Sequence, residues 1–231
     1  MTKHVVITGA NRGIGLGLVK YYLDKGYTVA ACCRQPNHAD ELNELAEQCT
    51  TLSVYSLDVE SEASISDFVT ALGDAEVDLV INNAGYYGPK GYAFGQVDIT
   101  EWHKVFAINA MGPLLVAQHL APLLAKCENS KLVCLSSKMG SMTDNTSGGS
   151  YLYRSSKSAL NAVVKSLSID LLPQNTLCVV LHPGWVQTEM GGPNALITVE
   201  ESVHGMAQTI AKLTLAQTGQ FFNYNGETIP W

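Results

Sequence analysis

Charge is scarce in this chain, and positive charge is scarcest. Asp, Glu, Lys and Arg make up 15% of its 231 residues, against about 25% in an average soluble domain. Lys and Arg number 14 against 21 acids, for a net charge of −7. No basic cluster is present to neutralise a phosphate backbone, which argues against a nucleic-acid partner and equally against an anionic membrane surface. Long apolar runs are missing too. The one in MTKHVVITG is too short for a signal-peptide core, and no stretch approaches the 18 or so unbroken apolar residues of a membrane span. The six cysteines, Cys32, Cys33, Cys49, Cys127, Cys134 and Cys178, lack CxxC spacing. Several lie in apolar runs, where a free thiol behaves as a small hydrophobe. A reducing, cytoplasmic setting is therefore expected. Cys32, Cys33 and His38 are too few and too closely spaced for a structural zinc site, and no metal is expected.

What is present is alternation. Strand-like runs at His4–Thr8, Thr28–Cys33, Thr51–Leu57, Leu79–Asn82, Lys131–Ser136, Leu177–His182 and Gln220–Asn223 take turns with helical periodicity. The helical segments are Gly13–Lys25, Asp40–Gln48, Ser61–Leu72, Thr100–Lys126, Tyr151–Leu171 and Thr198–Leu213. Near-continuous apolar strands separated by helices predict an α/β, doubly wound parallel sheet with helices on both faces, a Rossmann-like fold. The length suits one domain over residues 1–231. Pro113 should kink the fourth helical segment, and Thr198 with Glu201 reads as a capping box.

Glycines cluster after four of the strands: Gly9, Gly13, Gly15 and Gly17; Gly85, Gly88, Gly91 and Gly95; Gly140, Gly148 and Gly149; Gly184, Gly191 and Gly192. These are the carboxyl ends, where open α/β sheets bind ligands. In Thr8-Gly9-Ala10-Asn11-Arg12-Gly13-Ile14-Gly15 a strand runs through a glycine-rich turn into a helix. Gly9 allows the tight turn, Gly13 lets backbone approach a pyrophosphate, and Gly15 lets the helix pack on the strand. The helix N-terminus then offers N–H groups to phosphate. An acid at the end of the second strand would hold the ribose hydroxyls of NAD. Here stands Cys32-Cys33-Arg34, and an arginine grips a 2′-phosphate where a carboxylate would repel it. With Arg12 on the other side, NADP(H) is preferred over NAD(H).

Asn82-Asn83-Ala84-Gly85 follows the fourth strand. Asn82 reads as scaffolding, and Asn83 through Gly85 as cofactor contacts. Tyr153 and Lys157, four apart, share a helix face. A neighbouring ammonium lowers a phenol's pKa from its ordinary value near 10 and makes it an acid or base near neutrality. Tyr21/Lys25 and Tyr86/Lys90 have the same spacing, but the first pair is late in its helix and the second lies in a loop. Ser136 and Ser137 end the fifth strand; a hydroxyl there could hold a carbonyl oxygen or merely cap a turn.

TGxxxGIG, NNAG, Asn109, the paired serines and YxxxK, in this order, resemble the short-chain dehydrogenase/reductase family over essentially the whole chain. SSKMGSMTDNTSGGSYLYRSSKSALN, LHPGWVQTEMGGPNA and YNGETIPW are similar to its C-factor and Sniffer-type branch of carbonyl reductases. The resemblance implies a catalytic tetrad of Asn109, Ser137, Tyr153 and Lys157, with Ser137 rather than Ser136 as the catalytic serine. It implies that Asn11, Ile14 and the other loop residues hold the cofactor. Pro183, Gly184, Val186 and Thr188 would hold its nicotinamide end, and Asp58 and Val59 its adenine side. The activity implied is hydride transfer between NADP(H) and a small-molecule carbonyl or alcohol; the alternative is an NADP(H)-binding signalling or sensor protein. The Ser137–Tyr153 interval is long for the family, and its loop Thr143–Gly149 should border the substrate entrance. His182 is expected to orient the Pro-Gly turn, and Met139, Met142 and Met190 are candidates to line a substrate pocket.

Assembly is expected to be a homodimer or homotetramer through Thr100–Lys126 and Tyr151–Leu171. In the latter segment Ala159, Leu160, Ala162, Val163, Val164, Leu167, Ile169, Leu171 and Leu172 exceed one core-facing stripe. Ser156, Ala159 and Ala162 are small enough for close helix approach.

Overall fold

Strands that are apolar at consecutive positions need cover on both faces. In a computed structural model describing residues 2–90, 92 and 94–231, they have it. Strands β1 (His4–Thr8), β2 (Thr28–Cys33), β3 (Leu52–Ser56), β4 (Leu79–Asn82), β5 (Lys131–Leu135), β6 (Leu177–His182) and β7 (Phe221–Asn223) form one sheet. Its order is β3-β2-β1-β4-β5-β6-β7, parallel throughout. Helices α1 (Gly13–Asp24), α2 (Asp40–Gln48) and α7 (Val199–Lys212) cover one face. Their Leu18, Leu42 and Met206 pack with Val5, Ile7 and Val29. Helices α3 (Glu62–Leu72), α5 (Gly112–Leu124) and α6 (Tyr151–Asp170) cover the other. There Ile65, Leu120 and Val164 pack with Val6, Ala30 and Leu132. Successive residues of one strand thus enter opposite cores, the period of two expected of a pleated strand. Gly91, grouped above with the glycines after β4, lies outside the described residues.

The expected elements stand, with ends shifted by a residue or so, and the Thr198–Glu201 capping box is formed. The expectation of one kinked helix over Thr100–Lys126 needs correction. The segment is α4 (Ile99–Phe106), a π-helical turn over Ala107–Met111, and α5. The Gly112 N–H bonds back to the Ala107 carbonyl, closing the wide turn. Pro113 sits in the first turn of α5, where a missing N–H costs little. The interruption therefore comes from the π turn, a feature frequent at functional sites, and Asn109 lies within it. Ile99–Leu124 as a whole is long and apolar enough to cross a membrane, but more than half of its most apolar stretch is buried in this fold.

The apolar surplus on α6 is also smaller than expected. Leu160, Val164 and Leu167 are absorbed by the core beneath. Ser156, expected at a subunit contact, is fully buried and bonded to Asn109. Ile169 and Leu172 remain exposed.

Because β1 lies between β2 and β4, the chain leaves β1 toward one side of the sheet and β4 toward the other. The loops after these two strands diverge and leave a crevice between them.

Candidate active site

The glycine loop after β1 is held by the loop after β4. Asn83 Nδ2 donates to the carbonyls of Thr8 (2.8 Å) and Gly9 (3.0 Å). Thr8 Oγ1 accepts from the N–H groups of Asn83 and Ala84, each at 3.0 Å. Asn83 therefore positions the glycine loop, and Asn82 Nδ2 donates to the Pro113 carbonyl at 3.3 Å, the scaffolding contact expected of it. Gly15 has no alternative: a Cβ there would fall 2.1 Å from the Gly9 carbonyl oxygen. Helix α1 starts at Gly13 with no side-chain cap and no acid in its first turn. Its leading N–H groups and partial positive charge remain available to an anion.

On the phosphate side, Arg34 emerges exposed from β2 and makes no ion pair among the described residues. Arg12 is paired with Glu189, a contact between side chains 67% and 80% exposed. Such a pair is worth at most about 1 kcal/mol and does not lock Arg12 in place. Asp58 accepts from the Glu60 N–H at 3.0 Å, and Val59 is buried under Gly112. After β6, the Pro183 carbonyl accepts from Ser202 Oγ at 2.6 Å. A Cβ on Gly184 would meet Ile197 at 2.5 Å, and Val186 bridges to Ile197. Thr188 Oγ1 accepts from the Gly191 N–H at 3.1 Å, and the Thr188 methyl lies 3.5 Å from where a Cβ on Gly13 would stand. The loops after β1 and β6 thus converge over the start of α1. Asn11 and Ile14 lie in the loop after β1 and the start of α1, and Ala84 and Gly85 in the loop after β4. A glycine cradle, an uncapped helix start and a free arginine where an acid would otherwise stand fit an anionic dinucleotide with an added phosphate.

The reactive side chains gather at the other end of the crevice. Tyr153 and Lys157 are buried in the first two turns of α6, with Lys157 Nζ 5.7 Å from the Tyr153 ring centre. Nζ donates to the Leu135 carbonyl at 2.9 Å. Burial pushes the Tyr153 phenol up to about 12, opposed by the Ser137 hydroxyl and reinforced by Tyr87. Burial also pulls Lys157 down to about 8, with Cys134 opposing. The expected lowering of the phenol by its lysine is not what this geometry does. Desolvation is the largest influence on both groups and drives each toward its neutral form.

The two serines separate cleanly. Ser136 Oγ donates to Asn161 Oδ1 at 2.8 Å, a structural bond beneath α6. Ser137 caps the short helical turn Lys138–Gly140, accepting from Met139 N–H at 3.1 Å, and faces Tyr153 closely enough to affect its titration. Asn109 is fully buried. Its Oδ1 accepts from the Tyr86 N–H (2.8 Å), and its Nδ2 donates to the Tyr86 carbonyl (2.7 Å) and Ser156 Oγ (3.0 Å). Its side chain is thereby committed to joining the β4 loop to α6.

Two clefts flank this cluster. One, of about 530 Å³, is lined by Tyr87, Pro89, Lys90, Tyr92 and residues 150–153. The other, about 510 Å³, is lined by Met139, Met142, Asn145, Gly148, Gly149 and Tyr151 among others. The Thr143–Gly149 loop borders the second cleft; Met139 and Met142 line it and Met190 does not. Arg154, which no spacing singled out, holds that loop through Gly148, Met139 and Ser147. Tyr87, stacked on Tyr153, also carried no sequence signal, because a stacking partner 66 positions away leaves no local pattern. His182 is half-buried and held neutral, its pKa lowered to about 4 first by desolvation. Its Nδ1 has no partner among the described residues, so the expected hold on the Pro-Gly turn does not run through that atom. Tyr86 donates to Glu101 at 3.1 Å and lies outside the reactive cluster. No group of three metal-ligating side chains occurs among the described residues.

The chain is similar in sequence and fold to proteins already known. A family model described as short chain dehydrogenase matches residues 3–196. The C-signal of Myxococcus xanthus is 44% identical over 164 residues, covering 71% of this chain and 98% of that protein. The structure of the carbonyl reductase Sniffer of D. melanogaster superimposes with a TM-score of 0.95 at 36% identity, over 100% of both chains. An NADPH-bound carbonyl reductase from chicken fatty liver gives 0.94 at 33% identity, over 100% of this chain and 99% of that one.

Proposed function

The chain belongs to the short chain dehydrogenase family of oxidoreductases, and from that premise we propose that it is an NADPH-dependent carbonyl reductase. One observation carries the reading: Ser137 and Lys157 lie against Tyr153, which lines the 530 Å³ cleft, while the glycine loop, the uncapped start of α1 and Arg34 follow β1 and β2. Gly9, Gly13, Gly15 and the first turn of α1 would hold the pyrophosphate, Arg12 and Arg34 the 2′-phosphate, Asp58 and Val59 the adenine side, and Pro183 to Thr188 the nicotinamide end. When bound, NADPH supplies the hydride. Ser137 holds the carbonyl oxygen by a hydrogen bond. Tyr153 is fully protonated at neutral pH and gives its phenolic proton to the oxygen as negative charge develops there. Lys157, near 8 against about 12 for the phenol, can return a proton to the phenolate. Alcohol oxidation is the same path reversed.

NADPH consumption against a panel of quinones, diketones, aldehydes and ketosteroids tests the proposal. Turnover with at least one carbonyl, and weaker binding of NADH, is the expected result. No turnover with any, or equal affinity for both cofactors, would overturn it. A signalling role draws on the likeness to C-signal. The buried, assembled Ser137, Tyr153 and Lys157 favour chemistry, since a binder needs no proton donor. We also propose a cytoplasmic setting, supported by six free cysteines, four of them buried. A homodimer or homotetramer through α5 and α6 is proposed on the exposed Ala162, Ile169 and Leu172. Light scattering that finds a mass near 25 kDa, against a chain of 24.8 kDa, would refute it.

A further inference from the structure

Ser150, the residue before α6, is built against its own local interest. Serine is a favoured N-cap because its hydroxyl can accept from the helix's free N–H groups. Here it makes no such bond, and its backbone is left-handed, at φ +46°. Its hydroxyl instead meets the Tyr87 hydroxyl at 3.1 Å. The Tyr87 ring lies on the Tyr153 ring with centres 4.6 Å apart and planes at 30°. A forfeited cap and a strained residue beside an active site are what a second function leaves behind. We infer that Tyr87, anchored by Ser150, is a positioning residue that clamps the Tyr153 ring so that its phenol points at the substrate carbonyl. The contact reaches across the chain, from the loop after β4 to the start of α6. The same ring walls one side of the 530 Å³ cleft, so it also keeps water from the proton donor. A bulky carbonyl bound there must fit beside the stack without separating it.

The inference rests on the carbonyl reductase reading for its kinetic arm only. NMR of ring-labelled tyrosine needs no substrate and no cofactor, and Tyr153→Phe assigns the Tyr153 signal. Tyr87→Leu should speed the flipping of the Tyr153 ring and lower kcat by about tenfold to a hundredfold, the cost of a misplaced reacting group, while KM changes little. Tyr87→Phe keeps the ring but loses the hydroxyl that meets Ser150, and should fall between the native chain and Tyr87→Leu in both ring flipping and kcat. Unchanged ring flipping and kcat in Tyr87→Leu would overturn the clamp. A rise in KM alone would do the same, since it makes Tyr87 a substrate contact. Should Tyr87→Leu fail to fold, Ser150→Ala decides: faster flipping with reduced kcat supports the clamp, and a native ring with native kcat refutes it. If the native protein reduces no carbonyl, the functional reading fails and the ring measurement still judges the clamp.

Discussion

The two ends of the crevice are made in different ways. The cofactor end is backbone held by backbone-directed bonds: Asn83 to Thr8 and Gly9, Ser202 to Pro183, and Gly15 pressed against the Gly9 carbonyl. The substrate end is side chain held by side chain: Tyr87 on Tyr153, Ser150 to Tyr87, and Arg154 across the Thr143–Gly149 loop. At the first end the acceptors are backbone carbonyls, present whatever the side chain, so it needs only a few donors such as Asn83 and Ser202. At the second end both partners of each contact are side chains, so it is decided residue by residue.

The comparison can be broken most severely at Tyr153. Tyr153→Phe removes the proton donor and leaves the cradle, so kcat should fall roughly 10²–10⁴-fold while NADPH affinity, read by fluorescence titration, stays native. A parallel loss of affinity would mean the two ends are not separable. Arg34→Ala is the converse change. It should cost about 1.5–3 kcal/mol of NADPH binding, tenfold to a hundredfold in Kd, with NADH binding and kcat at saturation unaltered.

Lys157 sits where the ends meet and gives a pH signature. Its pKa is about 8 in the folded chain, below the ordinary lysine value of 10.5, chiefly through burial. The unfolded chain therefore holds the extra proton between these values, and stability rises as pH climbs from 8 toward 10.5. Below 8 the cost of burying the ammonium is fully present, on the order of 3 kcal/mol. Above pH 10 the Tyr153 phenol, raised toward 12, works the other way. Burial also raises the Cys32, Cys134 and Cys178 thiols, which lowers stability above their ordinary value of 9, so the lysine shows in a difference: denaturant titrations should find the native chain gaining stability relative to Lys157→Met from pH 8 to 10. A difference that stays constant over that range would contradict the desolvation argument. The smallest effect is expected at Glu189. Glu189→Gln frees Arg12 from an exposed ion pair worth at most about 1 kcal/mol. NADPH should bind no more than about fivefold tighter, with NADH unchanged; equal gains for both would show that Arg12 does not read the 2′-phosphate.

Much of this molecule could be read from the order of its residues. The β-branched runs alternating with helical periodicity implied the parallel sheet, because strands buried on both faces must be apolar throughout. Gly9, Gly13 and Gly15 announced the cradle, because only glycine fits where backbone meets backbone. Tyr153 and Lys157 were legible as a helix-spaced pair, and Arg34 as a cation where an acid would otherwise stand. Folding alone decided the rest. Ser137 and Ser136 are equivalent in spacing and differ only in which of them faces Tyr153. Asn109 carries a local pattern for a helix, yet its π turn arises from the need to meet Tyr86 and Ser156 together. The two pKa values depend on how much water folding removes, which outweighs the charge proximity that spacing shows. Tyr87 and Ser150, 63 positions apart, are joined only by tertiary packing. Local sequence encodes which backbone shapes are permitted; contacts between distant segments, and the desolvation they cause, exist only once the chain has closed on itself.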